Sequence, residues 1–182
     1  MQITKTKFEG LYILEPKIWG DDRGYFFESY SKQTLSEAGI DTVFVQDNEA
    51  MSTKGVLRGL HYQVGPSAQS KLVRVSRGEV LDVAVDVRPQ SSTYGQHISL
   101  IISDKNKKQM LIPRGFAHGY VVLSDIAVFQ YKCDTFYDKE AEGGVLYNDA
   151  QLGIDWILPQ SSLIISDKDK KQPTFGSHKA YV

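Results

Sequence analysis

Strict alternation of apolar and polar side chains constrains this sequence more than any other feature. In Leu81-Asp82-Val83-Ala84-Val85-Asp86-Val87-Arg88 four apolar side chains fall on one face, with Asp, Ala, Asp and Arg on the other. A period of two belongs to an extended strand with one face against a core, and no helix can hold it. Lys71-Leu72-Val73-Arg74-Val75-Ser76 repeats the pattern, and Arg77-Gly78-Glu79 between the two runs reads as a hairpin turn. Segments 98–102 and 110–112 flank the charged turn Ser103-Asp104-Lys105-Asn106-Lys107-Lys108 as a second hairpin. Further strands are expected at 11–14, 25–30, 43–46, 56–63, 120–123, 127–133 and 163–165. Helix is scarce: the best candidate spans 32–38, with Ser31 placed as N-cap and Gly39 just past the end. Many short strands separated by turn signals predict an antiparallel sandwich or barrel, mainly β with a few short peripheral helices.

At 182 residues the expectation is one domain, 1–182, able to bury roughly two-thirds of its unfolded surface. Lys plus Arg number 21 against 22 for Asp plus Glu, so the chain lacks the basic excess of a phosphate-backbone binder and no nucleic acid partner is expected. No apolar stretch approaches the ~20 residues of a membrane helix, and the first residues show no apolar leader segment. Cys133 is the single cysteine and no Asn-x-Ser/Thr site occurs, which fits a reducing, cytoplasmic setting. Between apolar and aromatic neighbours, Cys133 reads as an inert core thiol.

Four histidines are present: His61, His97, His118 and His178. They are isolated from one another, so a metal site would be short of ligands and none is expected. Lys54-Gly55-Val56-Leu57-Arg58-Gly59-Leu60-His61-Tyr62-Gln63 is unusual for a plain strand. Alternation would send Arg58 and His61 to opposite faces, and only a bulge or strong twist at Gly59 turns both into one cavity. Lys71 shares parity with Val73 and Val75 and so points inward. It is either a strand-end residue snorkelling to solvent or a cation held ready for charge developing on a substrate oxygen. Phe129, Tyr131 and Cys133 share a face, and the Tyr131 hydroxyl is either packed and satisfied or aimed into the same interior. Gly20-Asp21-Asp22-Arg23-Gly24-Tyr25-Phe26-Phe27-Glu28 sets an arginine fork beside rings. That suits a phosphate on a flat base, and a surface turn explains it almost as well.

Taken together and in order, these segments resemble the dTDP-4-dehydrorhamnose 3,5-epimerase family of the cupin superfamily. The resemblance rests on Asp22-Arg23-Gly24-Tyr25-Phe26-Phe27-Glu28, Gln46-Asp47-Asn48, the highly specific Gly55-Val56-Leu57-Arg58-Gly59-Leu60-His61-Tyr62-Gln63, and Lys71-Leu72-Val73-Arg74-Val75. Asp82 to Arg88, Ile112 to Gly119, Tyr131-Lys132, Glu142-Gly143-Gly144 and Ser166-Asp167-Lys168-Asp169 complete it.

The resemblance implies a double-stranded β-helix, or jelly roll, used as a homodimer. It also implies a metal-free, cofactor-free inversion of carbons 3 and 5 in a dTDP-linked 4-keto-6-deoxyhexose. Carried over by motif position, His61 is the general base and Asp169 the carboxylate that orients it. Lys71 faces the carbon-4 oxygen, and Tyr131 delivers a proton from the opposite face. Arg23, Glu28, Gln46, Asn48, Arg58, Lys71, His118, Glu142 and Lys168 match substrate-contacting positions, the Arg23 segment reaching the site of the partner subunit. His97 and His178 match nothing and are expected at the surface. Glu49-Ala50 stands where His-Ser is common, and Tyr147 where Trp is common. The alternatives are a single-carbon epimerase or ketoisomerase of the same fold, a metal-dependent cupin oxygenase, and a non-catalytic sugar-nucleotide binder.

Overall fold

A computed structural model describes residues 1–181. Strands β1 (Gln2–Lys5) and β2 (Tyr12–Glu15) come first, then a small hairpin of β3 (Trp19–Asp21) and β4 (Gly24–Phe26), then helix α1 (Lys32–Glu37). β5 (Gln46–Thr53), β6 (Val56–Gln63), β7 (Lys71–Arg77) and β8 (Glu79–Asp86) follow. β9 (His97–Ser103), β10 (Gln109–Ile112), β11 (Phe116–Val122), β12 (Ile126–Cys133), β13 (Glu142–Gly144) and β14 (Ile164–Ile165) complete the strands. The first sheet runs β1-β2-β10-β7-β12-β5 and the second β13-β6-β11-β8-β9, with β14 added in parallel beside β6. The two face each other as a sandwich, as the alternation predicts, in the jelly-roll form that the resemblance implies.

Three apolar clusters hold the layers. Val73, Val75, Met110 and Phe129 of the first sheet meet Val80, Ala84, Phe116 and Val122 of the second in the interior. Leu72 and Leu111, of opposite parity, turn outward with Leu14 to bury Leu35 of α1. That helix forms where expected because the Ser31 hydroxyl accepts the Thr34 N–H at 3.2 Å. On the outer face of the second sheet, Leu81, Val83, Val85 and Val87 pack under Tyr147, Leu152 and Trp156 of the C-terminal segment. The Tyr147 departure is thus a core position, buried at 7% exposure.

Several expectations need correction. The strand expected at 25–30 ends at Phe26, because the chain then leaves the hairpin to reach α1 and the Ser29 carbonyl accepts the Gln109 amide at 2.8 Å. The strand expected at 43–46 begins at Gln46 and continues to Thr53, and β1 was not anticipated. Both are edge strands, paired on one side only, so their half-exposed, polar composition hides them. The polar face of 81–88 does not meet solvent: Asp82 and Asp86 are both 0% exposed. Asp82 meets His118 through Oδ1 and leaves Oδ2 without a partner, whereas Asp86 is well supplied with donors. Asp86 accepts Arg88 Nε at 2.9 Å and the Ser91 and Thr93 hydroxyls at 2.6 Å each. His97 and His178 are half-buried rather than exposed, and burial pushes both imidazoles down.

The bulge needed at Gly59 is present. Pairing of β11 with β6 shifts between His118 and Tyr120, opposite Gly59, which lies at φ 130°. The extra residue lets Arg58 and His61 both face inward while Leu57, Leu60 and Tyr62 pack outward. A Cβ on Gly59 would sit 2.5 Å from the Gly119 Cα and 2.8 Å from the His118 carbonyl oxygen, so the strands close only with glycine there.

Two stability predictions follow from these contacts. Burial opposes ionisation of Asp86, but Arg88, Ser91 and Thr93 outweigh it and hold the carboxyl below its usual value. Its contribution is therefore complete at neutral pH and disappears as pH falls below about 4. Asp86→Ala should cost about 3–5 kcal/mol in urea melts at pH 7, and the cost should shrink progressively as pH is lowered below about 4. Gly59→Ala should lower stability by more than ~1 kcal/mol in the same assay, because both φ and the close approach exclude a side chain.

Candidate active site

The open end of the interior is a cleft walled by the two sheets and closed on one side by the C-terminal segment. Its main cavity, about 590 Å³, is lined by Arg58, His61, Lys71, His118, Tyr131, Lys168 and Asp169 among others. A second lobe of about 330 Å³ shares His61, Lys71 and Tyr131 and adds Gln46, Asn48 and Glu142. Together they fall in the size range of small-molecule sites.

His61 and Asp169 lie 108 residues apart in sequence, yet Nε2 is 2.6 Å from Oδ1. Asp169 opens a 3-10 turn, Asp169–Lys171, just beyond β14, so the parallel pairing of β14 with β6 carries the carboxylate to the imidazole. Asp169 is 4% exposed, and burial alone would raise its pKa. The His61 contact, the Gly59 N–H at 3.4 Å and the Ser166 hydroxyl more than compensate, holding it below the usual carboxyl range. It stays an anion.

The β6–β11 register puts His118 directly opposite His61 on the same face. His118 Nε2 is 2.7 Å from Asp82 Oδ1, so the interior holds two imidazole–carboxylate pairs side by side. Sequence reasoning missed Asp82 as a site residue. Its signal was the second aspartate pattern on the non-apolar face of β8, at the parity of Val80 and Ala84. The His118 ring also stacks on Phe129, with centroids 5.9 Å apart.

From the opposite sheet, Lys71 and Tyr131 project inward with Val73, Val75 and Phe129, as their parity predicts. Lys71 Nζ lies 6.0 Å from the Tyr131 ring centroid. No carboxylate is within ion-pair distance of Lys71 among the described residues. Burial pushes its ammonium down from the ordinary lysine value, opposed by the charges of Cys133, Asp82 and Glu142. Burial also raises the Tyr131 phenol, aided by Cys133 and Tyr120, so it holds its proton at neutral pH. Cys133 is buried and its thiol is pushed up by the same cause, in keeping with an inert residue, though it also borders the second lobe.

The remaining expected residues divide into two groups. Arg58 is steadied by Ser52, its Nε donating to the hydroxyl at 3.1 Å. Gln46 and Asn48 hydrogen-bond each other at 2.9 Å, and Lys168 donates to both Glu142 oxygens at 2.7 Å. Tyr137, also missed, donates to Glu142 at 3.2 Å at the rim of the second lobe. Arg23 and Glu28 are not in the cleft of their own chain. Arg23 is at the tip of the β3–β4 hairpin, its side chain 90% exposed and paired only with Asp21. Glu28 is exposed near the start of α1, where it accepts the Thr34 hydroxyl at 3.4 Å. The Glu49-Ala50 departure does touch the site, since Ala50 lines the main cavity.

With this geometry established, known proteins give a consistent picture. A family profile described as dTDP-4-dehydrorhamnose 3,5-epimerase matches residues 5–177. The Escherichia coli protein of that name is 49% identical over 173 residues, covering 94% of this chain and 92% of its own. The crystal structure of the epimerase from Elizabethkingia anophelis superposes with a TM-score of 0.93 at 50% identity, over 97% of both chains. A dTDP-6-deoxy-D-glucose-3,5-epimerase from Legionella pneumophila, solved in complex with dTDP-4-keto-L-rhamnose, gives 0.92 at 48% identity over 97% and 93% of the two chains. A match over nearly the whole chain, at this identity and with this cleft, places the protein in the dTDP-4-dehydrorhamnose 3,5-epimerase family.

Proposed function

We propose that this protein is an isomerase that inverts carbons 3 and 5 of a dTDP-linked 4-keto-6-deoxyhexose, turning dTDP-4-dehydro-6-deoxy-D-glucose into dTDP-4-dehydro-L-rhamnose. The observation that carries this reading is the 2.6 Å His61–Asp169 pair on one wall of a cleft whose other wall presents Lys71 and Tyr131. Both carbons adjoin the ketone, so removing either proton gives an enolate with its charge on the carbon-4 oxygen. His61 takes the proton, and Asp169, already an anion, stabilises the imidazolium that forms. Lys71 meets the oxyanion from the opposite sheet, where no carboxylate neutralises it. Tyr131, with its proton firmly held, returns a proton on the face opposite His61, and that return inverts the centre. A proton leaves and a proton arrives, with no net change of oxidation state.

Arg58, His118, Gln46, Asn48, Glu142 and Lys168 surround these groups and suit a diphosphate, a sugar and a base. Arg23 and Glu28 lie outside this cleft, so they serve the site only if the hairpin reaches a second copy, which makes the working form a homodimer. A cytoplasmic setting fits the lone buried thiol, and no helix among the described residues is long and apolar enough to cross a membrane.

Turnover of the 4-keto sugar nucleotide in deuterated water, followed by NMR, tests the assignment. The wild type should incorporate deuterium at carbons 3 and 5, whereas incorporation at one carbon alone would identify a single-carbon epimerase. His61→Ala should lose exchange at both positions, with turnover down roughly 10²–10⁴-fold. Tyr131→Phe should keep exchange from the base side while inversion collapses. If the two variants behave alike, the opposite-wall assignment fails.

Lys71 adds a pH signature. Its lowered pKa means that its positive charge, and the catalysis that depends on it, is lost as pH rises, on a limb below the ordinary lysine value of 10.5. A kcat–pH profile should show that limb. Lys71→Met should remove it and lower kcat by about 10²–10³-fold.

A further inference from the structure

The charged turn between β9 and β10 takes no part in the cleft, yet Lys107 reaches from it to the β3–β4 hairpin. Its Nζ donates to the Tyr25 hydroxyl at 2.9 Å. The same ammonium lies 4.4 Å from the Tyr25 ring centroid and 5.7 Å from that of Phe27, two rings stacked 6.0 Å apart. The turn that presents it is braced: Asn106 Oδ1 accepts the Ser103 and Lys108 N–H groups at 3.0 Å each, and Asn106 Nδ2 donates to the Ile101 carbonyl at 2.9 Å. Lys107 itself sits at φ 53°, a left-handed conformation uncommon outside glycine and tolerated when surrounding contacts fix it.

The hairpin needs such a contact. It is hydrogen-bonded into neither main sheet, and Trp19, Tyr25 and Phe26 are all exposed. Below it, the Gln109–Ser29 hydrogen bond anchors the chain that leads to α1. Lys107 meets the side chains of Tyr25 on the hairpin and Phe27 just beyond it, while the cross-strand pair of Trp19 and Phe26 belongs to the other parity.

We propose that Lys107 is a positioning residue for the sugar nucleotide: by clamping Tyr25 and Phe27 it sets the direction in which the hairpin carries Arg23 toward the diphosphate in a second copy's cleft. The proposal rests on the role given to the Arg23 hairpin above. Lys107 touches no substrate, so its effect falls on binding rather than on the proton transfers.

Steady-state kinetics of four variants, with fluorescence anisotropy, test it. Lys107→Met keeps the aliphatic stem and removes the cation. It should raise KM about tenfold and leave kcat within about twofold, while Lys107→Arg, which retains the charge over the rings, stays near wild type. Trp19 is 50% exposed and Trp156 5%, so loosening of the hairpin lowers anisotropy through Trp19, and Lys107→Met should show that fall. In an Arg23→Ala background Lys107→Met should add no further rise in KM, because both act through one element. If Arg23→Ala raises KM but Lys107→Met changes neither KM nor anisotropy, the clamp is overturned and the role of the hairpin stands. If Arg23→Ala leaves KM unchanged, the nucleotide role of the hairpin falls and the proposal with it. Equal losses of kcat and melting temperature in Lys107→Met and Lys107→Arg would mark a purely structural turn and also overturn it.

Discussion

A buried carboxylate must be paired, and in this protein that requirement links the end of the chain to its middle. Asp169 at 4% exposure is tolerable only because His61, the Gly59 N–H and the Ser166 hydroxyl converge on it. Those partners come from β6 and from the approach to the 3-10 turn, so the site forms only when the C-terminal segment has closed over the second sheet. The apolar contacts that close it are Tyr147, Leu152 and Trp156 against Leu81, Val83, Val85 and Val87. Outer-face packing thus brings Asp169 to His61, so that layer and the geometry of the cleft depend on each other.

The same logic explains why the interior of a small β domain can carry so much charge. Polar groups in a low-dielectric space are costly singly and tolerable in pairs. His118 has Asp82, and His61 has Asp169. Lys71 is the exception: burial pushes its ammonium down, opposed by the more distant Asp82 and Glu142. A cation without a close carboxylate is well matched to an oxyanion, the arrangement that favours a transition state over a ground state. Because β6 and β12 belong to different sheets, His61 and Tyr131 enter the cleft from different walls.

The cleft and the hairpin are built on different terms. Most cleft residues sit on strands of the two main sheets, with Lys168 and Asp169 at the 3-10 turn beside them. The hairpin projects outside both sheets and depends on a few side-chain contacts, Lys107 and Gln109 among them. On the proposed reading, that contrast separates proton transfer in the cleft from nucleotide capture by the hairpin.

Much of this was legible beforehand, for identifiable reasons. Alternation fixed the inward parity of Lys71 and Tyr131 and the β class, since those depend only on the two-residue period of an extended chain. The Ser31 cap marked the helix because capping is local chemistry. Gly59 signalled the bulge because only a residue without a side chain survives at φ 130° against Gly119. The resemblance paired His61 with Asp169, and spacing alone could not have done so. What only the tertiary structure decided was how distant segments meet. Burial of both faces of β8 depends on what covers the sheet, and so turned Asp82 from an apparent surface residue into the partner of His118. The polar edge strands β1 and β5 exist because a neighbour supplies their hydrogen bonds. The exclusion of Arg23 and Glu28 from the cleft of their own chain is likewise a matter of distance in space, which no local pattern of residues encodes.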